Sequence, residues 1–364
     1  MSVPVLDSNK IPLMPCSEKR ASKLMDKGQA KPYWQKGIFC IMLLKEPSAR
    51  NYQPIALGVD PGSKREGYTV ATEKSVVINI TTDTKDWVKK HVETRRNLRR
   101  ARRQRNTPYR KCRLNRRINQ NSIPPSIKTK WETRLQMIKY LISIIPITIV
   151  NVEDIKAKTI EGQDKKNKSF SPLEVGKNWF YAEVEKLGVK LILTKGYDTK
   201  TARDARGFSK TKDKLDWIWG AHNVDSHILC ELALKKEVRP YLGIWKIQFT
   251  EYQRRVLHLQ NFKKSKKGSY RRADGSTVSA GMSRGSVVRY KGKLYELGGN
   301  TEDRKVWQKS RRKVKKEVKV TINDIYTGDR IKRNAKVSEV KMIYTSNRRV
   351  QFLPRLKSWV PLHN

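Results

Sequence analysis

The sequence is short of acidic residues. It has 34 Asp and Glu against 80 Lys and Arg in 364 residues, which gives a formal net charge of +46. A small soluble domain carries a net charge of roughly 2 to 8 in magnitude, so this excess indicates a polyanionic partner. A membrane surface would require a basic amphipathic helix or a lipidation motif, and neither is found. Nucleic acid is therefore the favoured partner.

Long apolar runs are also missing. The longest, Leu141 to Val150, is too short to span a bilayer and contains Pro146. The N-terminus lacks the apolar core of a signal peptide. We expect no membrane association and a cytoplasmic location.

Cysteine is scarce and scattered. The four cysteines, Cys16, Cys40, Cys112 and Cys230, form no C-x-x-C pair and have no histidine at ligand spacing. This distribution predicts neither a zinc site nor a disulfide framework.

The elements that are present predict an α/β layer fold. Ile55 to Asp60 is a continuous apolar run ended by Pro61-Gly62, which is typical of a buried strand that enters a turn. Two further strands follow locally and predict a meander; strands and helices then alternate. The predicted segments are strands Ile38 to Leu44, Tyr68 to Thr72, Ser75 to Ile80, Ile147 to Val152 and Val189 to Thr194, and helices Ser17 to Gly28, Trp131 to Ile145, Pro172 to Leu187 and Asp213 to Leu234.

The remainder, from about residue 240, predicts a basic β-rich module. Lys291-Gly292 lies between two short apolar runs and predicts a hairpin. The predicted strands there are Ser286 to Tyr290, Leu294 to Leu297, Val318 to Asn323 and Val350 to Phe352.

A run of arginines interrupts the alternation between Lys89 and Arg117. On a helix these side chains cover nearly every side, with almost no acid to compensate them. A solvated charged helix would repel itself at this density, whereas a helix surrounded by phosphates would gain bidentate contacts. The candidates for nucleic-acid binding are Arg95, Arg96, Arg99, Arg100, Arg102, Arg103, Arg110, Arg113, Arg116 and Arg117.

Two acids stand where predicted buried strands end. Taken alone, Asp60 before Pro-Gly is typical of a turn former, and Glu153 of a charge in the first turn of a helix. Together they stand at the carboxyl ends of strands, where open α/β sheets place ligands. The pair predicts a functional site at that edge.

A third acid accompanies a histidine on the last predicted helix. His222 and Asp225 lie three residues apart and share a face. His227 falls off that face, so we expect it to be structural. Carboxylates that converge in this way can hold two divalent ions about 4 Å apart for phosphodiester cleavage.

At these residues the sequence resembles a known family. Ile55 to Lys64 (IALGVDPGSK) resembles the first RuvC motif, residues 150 to 154 (VNVED) the second, and residues 222 to 225 (HNVD) the third. Glu93 to Arg117 resembles the arginine-rich bridge helix of RNA-guided nucleases. Pro12 to Pro15 (PLMP) resembles the signature that opens the transposon-encoded IscB and IsrB proteins.

One departure distinguishes these two families. IscB carries an HNH nuclease domain between the second and third motifs, whereas here Glu153 and Asp225 stand 72 positions apart (225 minus 153). That interval has no histidine before His222. The chain therefore resembles IsrB, the relative without HNH.

The resemblance implies an RNase H-like (RuvC) nuclease. It implies that Asp60, Glu153 and Asp225 bind two Mg²⁺ ions, for which Mn²⁺ can substitute, and that His222 positions or deprotonates the attacking water. One strand, the displaced non-target strand, would be nicked. Its implied partners are a large guide RNA and double-stranded target DNA with an adjacent motif, bound by a monomeric protein in a ribonucleoprotein.

The resemblance also implies an order of segments. The motif-reading side chains are expected between Lys263 and Arg272 and between Arg304 and Lys319, although basic loops that contact RNA phosphates would have the same composition. The expected segments are a PLMP unit (1–52), RuvC part I (53–88), the bridge helix (89–120), RuvC part II (121–158), RuvC part III (159–238) and a basic β-rich module that reads the adjacent motif (239–364).

Two alternatives remain open at this point. A nuclease that needs no guide, such as a junction resolvase, would share the carboxylates but would leave the arginine-rich helix and the PLMP unit unexplained. A non-catalytic RNA-binding protein would need only the charge, and the carboxylates argue against it.

Overall fold

The structure, a computed structural model, describes residues 2–104, 123–154, 172–249, 278–302, 318–344 and 348–353. The chain divides into two compact units. One comprises Met1–Ile247 with Gln351–Asn364, and the other comprises Gln248–Val350. The finer segment boundaries expected from the sequence remain predictions.

The first unit begins with a small four-stranded sheet in the order β2-β1-β4-β3. The strands β1 and β4 pair in parallel, and the outer pairs are antiparallel. Helix α1 follows Ser17, whose hydroxyl accepts the Arg20 N–H as an N-cap. The elements are β1 (Ser2–Leu6), β2 (Pro12–Ser17), α1 (Glu18–Asp26), β3 (Ala30–Gln35) and β4 (Ile38–Leu43).

A seven-stranded sheet forms the larger part of this unit, in the order β18-β10-β7-β6-β5-β8-β9. The first three strands along the chain form the predicted antiparallel meander, and the next two add in parallel beside β5. This mixed order is consistent with an RNase H-like fold. The strands are β5 (Ile55–Asp60), β6 (Arg65–Thr72), β7 (Val76–Asp83), β8 (Ile149–Asp154), β9 (Lys190–Lys195), β10 (Ile244–Phe249) and β18 (Arg348–Leu353).

Among the described residues, five helices accompany the sheet, and α6 lies directly on it. Its residues are almost all buried, which explains why the stretch is apolar on several sides rather than on one stripe. The helices are α2 (Trp87–Arg103), α3 (Pro125–Ile142), α4 (Pro172–Glu185), α5 (Gly196–Ala205) and α6 (Trp219–Leu234).

Two helix predictions were wrong in their bounds. The last helix begins at Trp219 rather than Asp213, because Ile218 is extended (φ −123°, ψ 156°) and the Asp213 carboxylate accepts the Leu215 N–H in a local turn. The helix predicted from Trp131 begins at Pro125, since proline lacks the N–H that a first helical turn leaves unsatisfied. Helix α5 was not predicted.

The second unit contains a five-stranded antiparallel sheet in the order β16-β15-β14-β13-β17 and a two-stranded ribbon, β11-β12. The predicted hairpin at Lys291-Gly292 is confirmed, with both residues at positive φ as a type I′ turn requires. The strands are β11 (Val278–Ser279), β12 (Met282–Ser283), β13 (Val287–Tyr290), β14 (Lys293–Glu302), β15 (Val318–Asn323), β16 (Arg330–Lys336) and β17 (Val340–Tyr344).

No helix within the described part of the chain is long and apolar enough to cross a membrane. Five of the candidate arginines lie exposed on α2, namely Arg95, Arg96, Arg99, Arg100 and Arg103. Arg102 belongs to the same helix. The other four, Arg110, Arg113, Arg116 and Arg117, lie outside the described residues, as do residues 263–272 and 304–317.

Candidate active site

Asp60 is the last residue of β5, on the face of the sheet that α6 covers. The helix comes so close that a Cβ on Gly58 would lie 1.9 Å from the Ser226 carbonyl oxygen, and one on Gly67 would lie 2.3 Å from that of His222. Gly67 is directly opposite Asp60 in the strand pairing. The absence of side chains at these two glycines thus lets α6, which carries the third motif, pack against β5, which carries the first.

Buried hydrogen bonds fix the rotation of α6 on the sheet. The Asn223 amide donates to the carbonyl oxygens of Tyr68 and Ile80, both at 3.1 Å, and its oxygen accepts the Thr81 hydroxyl at 2.6 Å. With Asn223 anchored towards β6 and β7, His222 and Asp225 face the end of β5. Both are almost fully buried, as a shared face predicts.

Glu153 reaches the same place from β8. This strand runs parallel to β5, with Val59 opposite Val152, so the next pair along the two strands is Asp60 and Glu153. The two carboxyl groups share a hydrogen bond. The structure therefore brings the second motif to the first, and carboxylate groups from three elements converge.

Two cations that the sequence interpretation missed bind this cluster. The Lys210 ammonium bonds Asp225 and lies 3.6 Å from Asp60 Oδ2. Arg203 on α5 donates to the other oxygen of Asp225 at 2.7 Å. Neither residue belongs to a motif, and in a chain with 80 Lys and Arg no sequence signal distinguishes them.

Burial shifts two of the acids, Asp60 and Glu153, towards their protonated forms. Burial raises the pKa of Glu153 to about 8, with Asp60 and Asp225 adding to the shift. Burial also raises the pKa of Asp60, against the opposing effects of Lys210 and His222. Glu153 and Asp60 thus hold protons more tightly than free carboxyl groups, and a divalent cation that replaced those protons would balance the charge of the ionised acids.

His222 has a defined orientation. Its Nε2 lies 3.0 Å from the Lys214 carbonyl oxygen, which can only accept, so Nε2 carries the proton. Burial lowers the pKa of this imidazole, which keeps it neutral near pH 7. Its Nδ1 is then a free acceptor, 3.9 Å from Asp60 Oδ2.

His227 lies elsewhere. It is fully buried, 3.3 Å from the Glu231 carboxylate on the same helix, and its ring packs edge-on against Phe208 and Trp219. Glu231 in turn accepts both Arg206 and the Val238 N–H at the end of the helix. His227 therefore packs among these side chains and does not face Asp60.

The turn after Asp60 is held from the opposite face of the sheet. Arg134 on α3 donates to the Gly62 carbonyl at 3.0 Å and to Glu66 at 2.7 Å, and the Tyr68 hydroxyl also donates to Glu66. Lys130 donates to the Ser63 carbonyl at 3.0 Å. These contacts fix the backbone that carries Asp60.

The donor set suits a hard divalent cation, since Mg²⁺ and Mn²⁺ prefer carboxylate oxygens. In the described residues, however, no group of three or more His, Cys, Asp or Glu side chains is arranged to hold a metal ion. The physical reason is visible at Asp225, whose two oxygens are bonded to Lys210 and Arg203. A metal ion would have to displace at least one of them.

Comparisons with known proteins give one family match. The family model described as RRXRR protein matches residues 3–170, which contain Arg-Arg-Ala-Arg-Arg at 99–103. No curated protein matches the sequence at a significant level.

Among solved structures, the chain is similar to RuvC of Thermus thermophilus in complex with Holliday junction substrate, at 12% identity and a TM-score of 0.28, over 49% of this chain and 90% of that one. A further Thermus thermophilus RuvC structure matches at 11% identity and a TM-score of 0.24, over 51% of this chain and 82% of that one.

Proposed function

We propose that this protein is a metal-dependent DNA endonuclease that is directed by a guide RNA and nicks the displaced strand of its target. The observation that carries the proposal is the convergence of Asp60, Glu153 and Asp225 from β5, β8 and α6, with His222 beside them. The match to the RRXRR family model supports it.

In this function Asp60, Glu153 and Asp225 would hold the ions. Two bound Mg²⁺ ions supply a more acidic water and neutralise charge on the phosphate. Burial under α6 limits access of bulk water to the carboxylates, which strengthens their hold on cations.

His222 would act at Nδ1. That atom has its lone pair free because Nε2–H is donated to the Lys214 carbonyl. A neutral imidazole with a fixed tautomer can accept the proton of the attacking water. His222 would thus be the general base of the reaction, and its bond to Lys214 would keep the ring in place.

The proposal of a guide RNA rests on the net charge of the chain and on the exposed arginines of α2. A net charge of +46 exceeds what a short DNA substrate would balance, whereas a large RNA and its heteroduplex supply many phosphates. The exposed arginines of α2, for example Arg99 and Arg103, would contact the RNA backbone. The described residues form one carboxylate site, and one site cuts one strand at a time, so the product would be a nick.

The test is to purify the protein with co-expressed RNA and to incubate it with supercoiled plasmids that carry a matched or a mismatched target. With Mg²⁺, we expect nicking of the matched plasmid and a loss of about a thousandfold or more in Asp60→Asn. Asp154→Asn is the matched control, because Asp154 follows Glu153 on β8 but bonds Lys177 and Tyr181 instead. It should retain activity within about tenfold.

The other outcomes identify the alternatives. Nicking that ignores the guide would favour a resolvase-like nuclease. RNA binding without cleavage in Mg²⁺ or Mn²⁺ would favour a non-catalytic RNA-binding protein. Equal loss in Asp60→Asn and Asp154→Asn would mean that the carboxylates act through stability rather than chemistry.

A further inference from the structure

One side chain close to the candidate site is held between two cations. The Arg65 guanidinium lies 4.0 Å from the centre of the Trp217 ring, and the Lys246 ammonium lies 4.6 Å from it. Such contacts fix a cation in place and are worth about 0.5–2 kcal/mol each. All three side chains are partly exposed.

This arrangement has unsatisfied positive charge. The Nη1 atom of Arg65 is buried and has no hydrogen-bond partner among the described residues. The two cations repel each other, and the pKa of Lys246 is lowered by burial and then by Arg65. Asp83, Asp213 and Asp216 partly compensate Arg65, yet burial still lowers its pKa. A buried cationic donor without a partner is costly unless a ligand supplies the acceptor.

The strand pairing connects this cluster to the carboxylates. Asp60 pairs with Gly67, Gly67 with Thr81, and Thr81 with Lys246. Residues directly opposite one another share a face, so these four form one row across β5, β6, β7 and β10. At about 4.8 Å per strand, Lys246 lies about 14 Å from Asp60.

Arg65 lies on the same face. It precedes Gly67 by two residues on β6, and side chains two apart on a strand point the same way. Trp217 lies two residues before α6 begins at Trp219. The cation pair therefore lies beside the start of α6, on the same face of the sheet as Asp60 and a few nucleotides from it.

We propose that Arg65, Trp217 and Lys246 form a phosphate clamp that holds the cut DNA strand beside the carboxylates. Trp217 orients both cations, and the free Nη1–H of Arg65 donates to a phosphodiester oxygen. A strand that reaches from the clamp to the carboxylates would pass beside α6, because this helix covers Gly67 and Thr81 in the middle of the row. This assignment rests on the proposed function for the identity of the strand.

The experiment measures binding separately from cutting. The RNA-bound protein is titrated against a fluorescein-labelled oligothymidine of about 12 nucleotides, with Ca²⁺ in place of Mg²⁺, and anisotropy is recorded. We expect Arg65→Gln and Trp217→Ala each to weaken binding about five- to tenfold. Trp217→Ala is decisive because it leaves the net charge unchanged. If it fails to fold, Trp217→Leu fills the volume without a π face.

Lys236→Gln is the charge control. Lys236 is exposed and pairs with Glu73 at the opposite end of the same sheet, so the loss of its charge should change affinity less than about twofold. Equal effects of Arg65→Gln and Lys236→Gln, or wild-type binding by the Trp217 variants, would overturn the clamp. A greater loss of affinity for a matched oligouridine would assign the three residues to RNA and would also overturn it.

Nicking by the same proteins separates the clamp from the proposed function. If the variants bind oligothymidine more weakly but the wild-type protein never nicks, the clamp is supported and the nuclease is rejected. Guide-dependent nicking with unaltered binding in Arg65→Gln would support the nuclease and reject the clamp.

Discussion

The two faces of the central sheet both carry buried charge, and they handle it differently. On the α3 face, Arg134 Nε donates to one oxygen of Glu66, and the Tyr68 hydroxyl donates to the other. Each carboxylate oxygen there is satisfied. On the α6 face, the three acids of the site face two side-chain cations, and Asp60 and Asp225 add to the raised pKa of Glu153.

The difference distinguishes a structural ion pair from a candidate functional site. A closed pair such as Glu66–Arg134 needs nothing more, and it fixes the turn at Gly62. The acids of the α6 face are brought together by glycine contacts and by Asn223 at a cost in electrostatic free energy. Such an arrangement is stabilised when a divalent cation binds, and we expect the two faces to respond oppositely to metal.

The largest effect on stability is expected on the closed face. Arg134→Met leaves Glu66 buried without its cation, which costs about 3–5 kcal/mol of unfolding free energy. Urea unfolding measures it, and Mg²⁺ should not restore it. The double variant Glu66→Gln with Arg134→Met should lose less than Arg134→Met alone. If the double variant loses as much or more, the pair is not the closed unit described.

A smaller effect is a pH dependence of metal-free stability that comes from Glu153. The folded-state pKa of about 8 lies above the usual 4.5, so the folded protein binds this proton more tightly than the unfolded chain. The stabilising contribution is complete below about pH 4.5 and is lost as the pH rises towards 8. Glu153→Gln removes this group, so its melting temperature in EDTA should fall less between pH 6 and 8 than that of the wild type.

The matched comparison for that measurement is Glu66→Gln, which lies on the closed face, where the carboxylate is bonded to Arg134 and Tyr68. It should keep the wild-type slope. If the melting temperatures of wild type and Glu153→Gln fall equally between pH 6 and 8, Glu153 is ionised throughout this range. The acids of the α6 face then do not repel one another as described.

Much of the site could be predicted because its acids follow local patterns. The run Ile55–Asp60 before Pro-Gly is confirmed as a buried strand, and its pairing with β8 brings Asp60 and Glu153 together. The three-residue spacing of His222 and Asp225 needs only a helix. These inferences depend on strand ends and helical periodicity, which the sequence shows directly.

The cations could not be predicted in this way. Lys210 lies in the irregular segment before α6, and Arg203 lies on α5, a helix without a periodic apolar stripe. Their roles depend on where α5 and the segment before α6 fold over the sheet. The late start of α6 was also missed, because Ile218 is extended and the Asp213 carboxylate accepts the Leu215 N–H in a local turn.

The smallest effect concerns Lys210, and it tests whether the open face is built for a metal ion. The Lys210 ammonium bonds Asp225 and lies 3.6 Å from Asp60 Oδ2, so a divalent ion that binds these carboxylates must displace it. Lys210→Met keeps the aliphatic stem and removes the competing charge. We expect Mn²⁺ to bind this variant several-fold more tightly in calorimetric titration, an effect of about 1 kcal/mol.

Lys177→Met provides the control for this measurement. Lys177, like Lys210, is bonded to a carboxylate: its ammonium lies 2.8 Å from Asp154 at the end of β8. It belongs to α4 and does not bond the acids of the α6 face. Its loss should lower stability without changing Mn²⁺ affinity. Tighter Mn²⁺ binding in both variants would reflect general charge removal, and weaker binding in Lys210→Met would mean that the lysine assists the ion. Only a selective gain in Lys210→Met fits a carboxylate cluster held by a cation that metal replaces.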